Sequence, residues 1–352
     1  MQKNKNLLRK AISNTVYLSR IPLLLSKGKT IILMYHRVLN EQQTSNIQPA
    51  MYVTTHVFEE HIKYLVSHFK IISFQKFLHV LKNSAIENNK RYCIITFDDG
   101  WRDNFINAYP ILKKYNIPAT IFLSTSYIGT TNWFWPDRIT FLLNSVKMLY
   151  HSDNSKHNLF RTMKEYGIEG FYRDLNHNSS LIINNSVIEA IIEGLKTKSE
   201  SQIESLIERL QGILSINFPQ ERLILSWQEI SEMSRHDISF GSHTCNHVIL
   251  TKLLREEINY QIQDSRNKIM KHKINFIPVL AYPNGNYNDI VIEETKRVGY
   301  EAALTTEFGF NDEKTDPYKF KRIGIHNDIT STVPKFSCHI LGIFHPFIIK
   351  KL

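Results

Sequence analysis

Cysteine is scarce in this sequence, and long apolar runs are absent. The 352 residues include three cysteines, Cys93, Cys245 and Cys338, with no Cys-x-x-Cys pair among them. An odd and scattered set argues against a disulfide framework and favours a reducing compartment. No stretch approaches the ~18 consecutive apolar residues that a membrane-spanning helix requires. We therefore expect neither a small disulfide-stabilised scaffold nor an integral membrane protein built from helices.

The sequence also predicts no export signal, and it contains no dense basic run. The first 30 residues interleave charged side chains with short apolar groups, and no small-residue cleavage site follows a long apolar run. This pattern predicts a cytoplasmic protein, with peripheral contact at the inner membrane face as an option. The net charge of +10 favours acidic partners, although a basic surface without a dedicated partner explains it equally well. Because no nucleic-acid motif accompanies that charge, we predict no nucleic-acid partner.

The two ends of the chain have patterns that are typical of membrane-surface segments. Residues 7–25 fit a basic amphipathic helix, and residues 340–352 are apolar with two lysines near the end. Packing of either segment on the folded domain is the alternative, and we favour it. We assign residues 1–30 to an N-terminal extension and residues 331–352 to a C-terminal tail.

Strand-like and helix-like patterns alternate along most of the chain. Short apolar runs rich in β-branched and aromatic residues predict strands at 31–35, 92–97, 119–123, 238–241, 277–282 and 302–305. Helical segments are predicted between and after them, at 58–70, 104–114, 227–233, 253–272 and 289–298. This alternation predicts an α/β fold with a parallel sheet. Residues 133–225 are largely helical and polar, and their length predicts an insertion rather than a loop.

Two adjacent carboxylates follow one of the predicted strands. Asp98 and Asp99 come directly after the apolar run 92–97 and before a glycine. Neighbouring carboxylates repel each other, and folding alone does not require them at a strand end. A bound metal ion or a proton-transfer task would explain the pair.

A pair of histidines follows another predicted strand. In HTCNH, His243 and His247 are four residues apart, which on a helical turn lets both rings reach one ion. Taken alone, such a pair is weak evidence, and two unrelated surface histidines are the default interpretation. Because the carboxyl ends of parallel strands share one edge of a sheet, we expect these histidines to meet Asp98 and Asp99. Two histidines and one carboxylate make a divalent metal site with positions open to water.

Four segments together resemble one family. TFDDG (96–100), HTCNH (243–247), AYPNG (281–285) and MYHRV (34–38) are similar to the motifs of the polysaccharide deacetylases, also called the NodB-homology domain. The resemblance implies that residues 31–330 form a distorted (β/α) barrel with the helical insertion at 133–225. It also implies a hydrolase that removes an acetyl group from an N-acetylated sugar of a polysaccharide or glycan intermediate.

The resemblance assigns roles to individual residues. Asp99, His243 and His247 would hold a divalent metal, usually zinc, although cobalt, nickel or manganese suits the same ligands. Asp98 would be the general base that takes a proton from the attacking water. The two aspartates would thus be separated in role by their surroundings.

A general acid must protonate the departing nitrogen. Many members of the family use a late histidine, here His326, whereas the branch that resembles bacterial poly-N-acetylglucosamine deacetylases uses an early one, here His36. We favour His36 as the acid. The alternative for His36 is a buried histidine that fixes the strand end through hydrogen bonds, and the alternative for His326 is an ordinary loop residue. The backbone N–H of Asn284 would stabilise the oxyanion, and Thr244 would orient the site.

The sequence departs from the family pattern at one charged position. An arginine that steadies the base in many members is replaced by Ala281, as in the poly-N-acetylglucosamine-like branch. Arg322 is a candidate substitute, although an arginine before a strand is commonly a surface residue. Tyr287 is a candidate cleft-lining aromatic for the sugar, whereas the aromatic run 133–135 is expected to be buried in preference to stacking on sugar.

The expected partner is a glycan or a lipid-linked saccharide. An O-acetyl ester or an N-formyl group is an alternative target for the same chemistry. A non-catalytic glycan-binding relative is a further alternative. The complete set of two aspartates and two histidines argues against it, because a pure binder has no need for the base Asp98.

Overall fold

The structure, a computed structural model, describes residues 13–15, 17, 28–45, 47–83, 87, 89–146, 153–168 and 184–343. The chain divides into two compact units. Unit one comprises Met1–Gln42, Pro49–Thr130 and Arg222–Leu352, and unit two comprises Gln43–Gln48 and Thr131–Glu221. Within the described ranges, every helix is too short or too polar to span a membrane.

Strands occur only in unit one among the described residues, whereas helices occur in both units. The strands are β1 Thr30–Tyr35, β2 Arg37–Leu39, β3 Tyr52–Thr54, β4 Lys70–Ile71, β5 Tyr92–Phe97, β6 Ala119–Leu123, β7 Ile238–Ser242, β8 Phe276–Ala281, β9 Ala302–Leu304 and β10 Ile323–Gly324. The helices are α1 Thr55–His68, α2 Phe74–Lys82, α3 Tyr109–Lys114, α4 Trp135–Val146, α5 Asp153–Glu165, α6 Asn185–Leu195, α7 Glu200–Leu214, α8 Trp227–Met233, α9 Arg255–Lys271, α10 Asp289–Val298, α11 Asn327–Thr330 and α12 Val333–Ile340. Helices α4 to α7 belong to unit two.

The main sheet of unit one is parallel throughout. Its strands pair in the order β10-β1-β5-β6-β7-β8-β9, and β4 also pairs with β5. The segment 320–324 joins the two ends, because the Phe320 N–H bonds to the Ala303 carbonyl of β9 at 3.1 Å and Ile323 is in register with Leu33 of β1. The sheet therefore curls into the distorted (β/α) barrel that the sequence predicts.

The chemistry of the residues explains why these elements form. All six residues of β5 are buried, as expected for a parallel strand that is covered on both faces. Helix α10 begins where the Asn288 side chain accepts a hydrogen bond from the Val291 N–H, and it ends at Gly299, whose φ is 91°. The predicted bounds of β5, β6 and α10 are confirmed. The sequence analysis misses β2, β3, β4 and β10, because two or three residues carry no recognisable period. It also misses the nine-residue helix α2.

Unit two contains a core of its own. Its buried apolar side chains come from all four helices and include Leu142, Leu159, Ile191, Leu206 and Leu210. Helix α7 begins with a capping box in which Ser199 and Gln202 satisfy each other's backbone N–H groups.

The aromatic run 133–135 packs within unit two. Phe134 is buried, and the Trp133 ring lies 5.5 Å from that of Phe141. The Trp133 indole N–H bonds to the Glu221 carbonyl at 3.1 Å. The expectation of burial thus holds for Phe134, whereas Trp133 and Trp135 are half-buried.

The predicted terminal segments fall mostly outside the described residues. Of the segment 7–25, Ser13 is buried, and its carbonyl lies 3.6 Å from the Cys338 thiol. The Tyr17 ring lies 6.1 Å from that of Tyr64. These contacts are with the folded domain, as the packing alternative predicts. Of the C-terminal segment, residues 344–352 lie outside the described ranges.

Candidate metal centre

The topology of unit one brings the candidate residues to one edge of the sheet. Asp98 and Asp99 follow β5, and His243 follows β7. His36 follows β1. These strands all run parallel, so their carboxyl ends lie on the same side.

Three side chains converge at this edge as the sequence predicts. The Nε2 atoms of His243 and His247 lie 3.4 and 3.3 Å from Oδ1 of Asp99. One ligand atom from each residue lies within 4.8 Å of the other two. The Nδ1 atom of His243 is 2.8 Å from the Ala281 carbonyl, so Nδ1 carries the hydrogen when the ring is neutral and Nε2 remains a free lone pair.

The donor set fits a divalent metal ion. Oδ1 of Asp99 is buried and has no hydrogen-bond partner, whereas Oδ2 accepts from the Trp101 indole N–H at 2.8 Å. A buried carboxylate oxygen without a donor is costly, and a cation shared with two imidazole nitrogens would offset that cost. One oxygen and two nitrogens suit zinc and its neighbours in the first transition series.

Burial and neighbouring charges set the protonation of the three residues. Burial raises the pKa of Asp99, but His247 and His243 outweigh it and hold that pKa well below its usual range. Burial lowers the pKa of His247 to about 4, which keeps its ring neutral. Burial also lowers the pKa of His243, yet Asp98 and Asp99 raise it above the ordinary value. A proton on His243 and a metal ion would therefore compete for the same position.

The histidine segment is a loop and not the helical turn that the spacing predicts. Thr244 and His247 have left-handed backbones, with φ of 67° and 57°. The Thr244 hydroxyl accepts a hydrogen bond from the His247 N–H at 3.0 Å, and the Ser242 hydroxyl accepts from the Thr244 N–H at 3.2 Å. These local side-chain bonds replace a helical pattern and still bring both rings to Asp99. Thr244 thus shapes the loop and does not belong to the metal-ligand cluster.

Helix α9 supports the histidine loop, residues 243–247, through one side chain. The buried side chain of Gln261 accepts hydrogen bonds from the backbone N–H groups of Cys245 and Asn246, at 3.1 and 3.0 Å. Both donors lie between the two histidines. The loop is therefore tied to a regular element at its centre.

Asp98 binds the candidate substitute arginine. Both guanidinium terminal nitrogens of Arg322 lie 2.7 Å from the two carboxylate oxygens of Asp98, and Arg322 is fully buried. Its Nε also donates to the Thr305 carbonyl at 2.8 Å. Burial raises the pKa of Asp98, but the charges of Arg322 and His243 and the hydrogen bonds from Arg322 together outweigh it, so the pKa lies below its usual value. The expectation of a surface arginine is wrong, and that of a substitute partner is confirmed.

The two candidate acids differ in their surroundings. His36 is half-buried after β1, and its charge is among those that lower the pKa of Asp98 and of Asp99. His326 begins α11 and contacts the exposed Asp328 through Nδ1. The structure thus couples His36 to both carboxylates, while the contact resolved for His326 lies within its own turn.

The turn after β8 positions the remaining candidates. Asn284 is exposed and left-handed, with φ of 57°. Tyr287 stacks on Tyr282 with ring centroids 5.6 Å apart, its hydroxyl donates to Glu307 at 2.9 Å, and the Lys319 ammonium lies 5.7 Å from its centroid. Tyr287 is thus half-buried, with one ring stacked on it.

Sequence reasoning missed one contact of this centre. Trp101 follows the DDG motif directly, but nothing in the sequence shows that its N–H points back to Asp99 two residues earlier. The sequence feature that could have indicated this contact is an indole N–H donor immediately after the DDG motif.

Comparison with known proteins decides the family. The model of the polysaccharide deacetylase family matches residues 85–303, which is more than half of the chain. The chain belongs to the polysaccharide deacetylase family. This polysaccharide deacetylase is accordingly a hydrolase that acts on carbon–nitrogen bonds.

Curated relatives carry names from the same family. The chain is 21% identical over 298 residues to Bacillus subtilis YxkH, covering 85% of this chain and 72% of the relative. It is 27% identical over 236 residues to the poly-β-1,6-N-acetyl-D-glucosamine N-deacetylase of Staphylococcus epidermidis, covering 61% of this chain and 72% of that protein.

Solved structures share the fold. The deacetylase PplD of Streptococcus pyogenes has a TM-score of 0.54 at 20% identity, covering 86% of this chain and 95% of that one. IcaB of Ammonifex degensii has a TM-score of 0.55 at 16% identity, covering 88% and 97%. This chain therefore has the fold of these two proteins.

Proposed function

We propose that this chain removes acetyl groups from N-acetylglucosamine residues of a β-1,6-linked polysaccharide. The observation that carries the proposal is the buried Oδ1 of Asp99, which faces two imidazole nitrogens at 3.3 and 3.4 Å. Beside it, Asp98 is held by Arg322. The substrate class comes from the name of the staphylococcal relative.

Asp99, His243 and His247 would hold a divalent metal, with zinc as the proposed ion. When bound, that ion supplies positive charge that acidifies water and polarises the acetyl carbonyl. Two features support the cluster. The Ala281 carbonyl orients the His243 ring, and burial keeps the His247 ring neutral.

Asp98 would act as general base and His36 as general acid. Asp98 takes a proton from the attacking water, whose oxygen bonds to the acetyl carbon. The carbon–nitrogen bond breaks, His36 gives a proton to the sugar nitrogen, and acetate leaves. A pKa below the usual value keeps the Asp98 carboxylate ionised at neutral pH, and it also makes that carboxylate a weaker base than an ordinary aspartate. The backbone N–H of Asn284 is the proposed oxyanion donor.

The experiment measures acetate release by the full-length protein from β-1,6-linked N-acetylglucosamine oligomers, with added zinc or with EDTA. A parallel arm uses a lipid-linked N-acetylated saccharide, the substrate expected if the chain works in the cytoplasm. Replacing the base (Asp98→Asn) should lower the rate about 10²- to 10⁴-fold while zinc still binds.

Asp237→Asn is the matched control. Asp237 also has a left-handed backbone, with φ of 54°, but it is exposed and precedes β7 at the opposite edge of the sheet. Its variant should release acetate at the rate of the unmodified protein. Acetate release that persists in EDTA, or that is unchanged in Asp98→Asn, would refute the proposed chemistry.

A further inference from the structure

We infer that Trp101 is a positioning residue that fixes the carboxylate of Asp99 for one-oxygen metal binding. This inference rests on the proposed function, because it concerns the same ligand cluster. The indole N–H of Trp101 bonds to Oδ2 of Asp99 at 2.8 Å. Oδ1 alone then points toward the two histidines. The indole therefore decides which carboxylate oxygen is left for the ion.

The backbone around Trp101 is held on both sides. Asp99 and Gly100 have positive φ of 73° and 80°, so the chain reverses sharply before the indole. Trp101 then forms an antiparallel bridge with Ile224. The Leu225 N–H bonds to the Gly100 carbonyl at 2.9 Å. These contacts fix the backbone of Trp101 and so the position from which its side chain extends. Burial of an aromatic ring alone would not require them.

A charged pair covers the indole. The Arg37 guanidinium carbon lies 4.3 Å from the Trp101 ring centroid, within the range of a cation–π contact. The Nε of Arg37 bonds to Asp103 at 2.8 Å, and the other oxygen of Asp103 accepts from the Val38 N–H at 2.9 Å. All these side chains are buried. A cation over the ring draws electron density from it and strengthens the N–H as a donor to Asp99.

The same cluster reaches the candidate acid. Arg37 follows His36 directly, and the Asn104 side chain donates to the His36 carbonyl at 2.9 Å. Asn104 is the residue after Asp103 and begins a π-helical turn, a feature that is frequent at functional sites. One buried cluster thus positions the backbone of the acid and the carboxylate of the metal ligand.

A buried ion pair is an expensive way to gain stability alone. The pair of Arg37 and Asp103 is explained better as support for the indole and its hydrogen bond. Hydrogen-bonding partners of metal ligands typically change metal affinity about 10- to 100-fold when they are lost. Loss of the indole N–H would leave a second oxygen of Asp99 without a donor and free the carboxylate to rotate.

The test replaces the indole by a ring without an N–H (Trp101→Phe), which keeps an aromatic face under Arg37. Zinc affinity of the full-length protein is measured by competition with a chromogenic chelator. We expect zinc to bind about 10- to 100-fold more weakly. The metal-free melting temperature should also fall, because the smaller ring leaves a cavity at a buried position and Oδ2 of Asp99 loses its donor. Trp227→Phe is the control, because Trp227 stacks on His272 in another part of unit one.

A second measurement separates positioning from simple destabilisation. The absorption spectrum of the cobalt-substituted protein reports ligand geometry, and it should change in Trp101→Phe but not in Trp227→Phe. Unchanged zinc affinity and an unchanged cobalt spectrum in Trp101→Phe would overturn the inference about Trp101 while leaving the proposed function intact. A wild-type protein that binds no metal would instead overturn the proposed function.

Discussion

At the residue scale, the contact between Asp98 and Arg322 joins distant parts of the sequence. Arg322 lies 224 positions after Asp98, yet it donates to both carboxylate oxygens at 2.7 Å. Its third contact, with the Thr305 carbonyl, fixes the plane of the guanidinium. An arginine from the segment 320–324 is therefore the positive neighbour of Asp98, where the sequence has Ala281 in place of an arginine.

We predict that Arg322→Lys lowers kcat by about 10²-fold. Lysine keeps the charge but presents a single ammonium, so it cannot hold both oxygens of Asp98 in one plane. Misplacement of a catalytic group by about 1 Å has costs of that size. Steady-state kinetics with a zinc titration will show whether kcat falls while zinc affinity stays the same.

Arg255→Lys serves as the control for this change. Arg255 also pairs with two carboxylate groups, those of Glu293 and Glu294, but on helices α9 and α10 and with half of its side chain exposed. Its variant should keep the kcat of the unmodified protein. Equal kcat values for the two variants would show that Arg322 does not orient Asp98.

The sequence predicts the members of this site better than their partners. The meeting of His243 and His247 with the carboxylate pair follows from residue types at strand ends, because parallel strands must share an edge. The choice of Asp99 as the ligand comes from the family resemblance. The pairing of Arg322 with Asp98 and the bond from Trp101 depend on side-chain directions and on burial. Those properties arise only when distant segments pack, so no local pattern contains them.

At the element scale, helix α9 sets the shape of the histidine loop. The spacing of His243 and His247 predicts a helical turn, but Ser242 and Thr244 bond to nearby backbone groups and turn the chain into a loop. The rings of His243 and His247 are close, as predicted, but a loop and not a helical turn brings them together. The loop is held by Gln261, a polar residue whose burial the helical pattern of α9 does not reveal.

We predict that Gln261→Met destabilises the fold and weakens zinc binding. Methionine preserves the length of the side chain but leaves the N–H groups of Cys245 and Asn246 without an acceptor. Each buried unpaired donor costs about 1–3 kcal/mol. Urea unfolding will measure the loss of stability, and chelator competition will measure the loss of zinc affinity.

The same helix offers a matched control two residues later. Gln263 is exposed, and Gln263→Met should change neither quantity. If Gln261→Met loses stability but binds zinc as tightly as Gln263→Met does, the helix supports the fold without shaping the metal centre.

At the scale of the whole molecule, unit two is inserted through a paired stem. The Gly129 N–H bonds to the Leu225 carbonyl at 2.8 Å, just before the chain enters the segment 131–221 and just after it returns. Closely spaced ends are typical of places where insertions are tolerated. The stem, and not the insertion itself, completes the turn around Gly100 and Trp101.

We predict that replacing residues 131–221 by a short Gly/Ser linker leaves unit one folded and able to bind zinc. The stem already brings the two ends together, and loop length changes the closure free energy only by about 0.6 kcal/mol per doubling. Circular dichroism melting and chelator competition on the shortened chain will check both parts. A shortened chain that is unfolded, or that has lost zinc affinity, would contradict this prediction.

The late position of Arg322 also has a consequence for biosynthesis. Chains fold from the N-terminus as they are made, and contacts between distant segments form slowly. All three proposed metal ligands precede Arg322, so they can be translated before the partner of Asp98 exists. A nascent or truncated chain that stops short of the segment 320–324 would also leave the barrel without the strand that joins its two ends. Under the proposed function, hydrolytic activity would therefore require synthesis past the segment 320–324, and termination before it would give an inactive product.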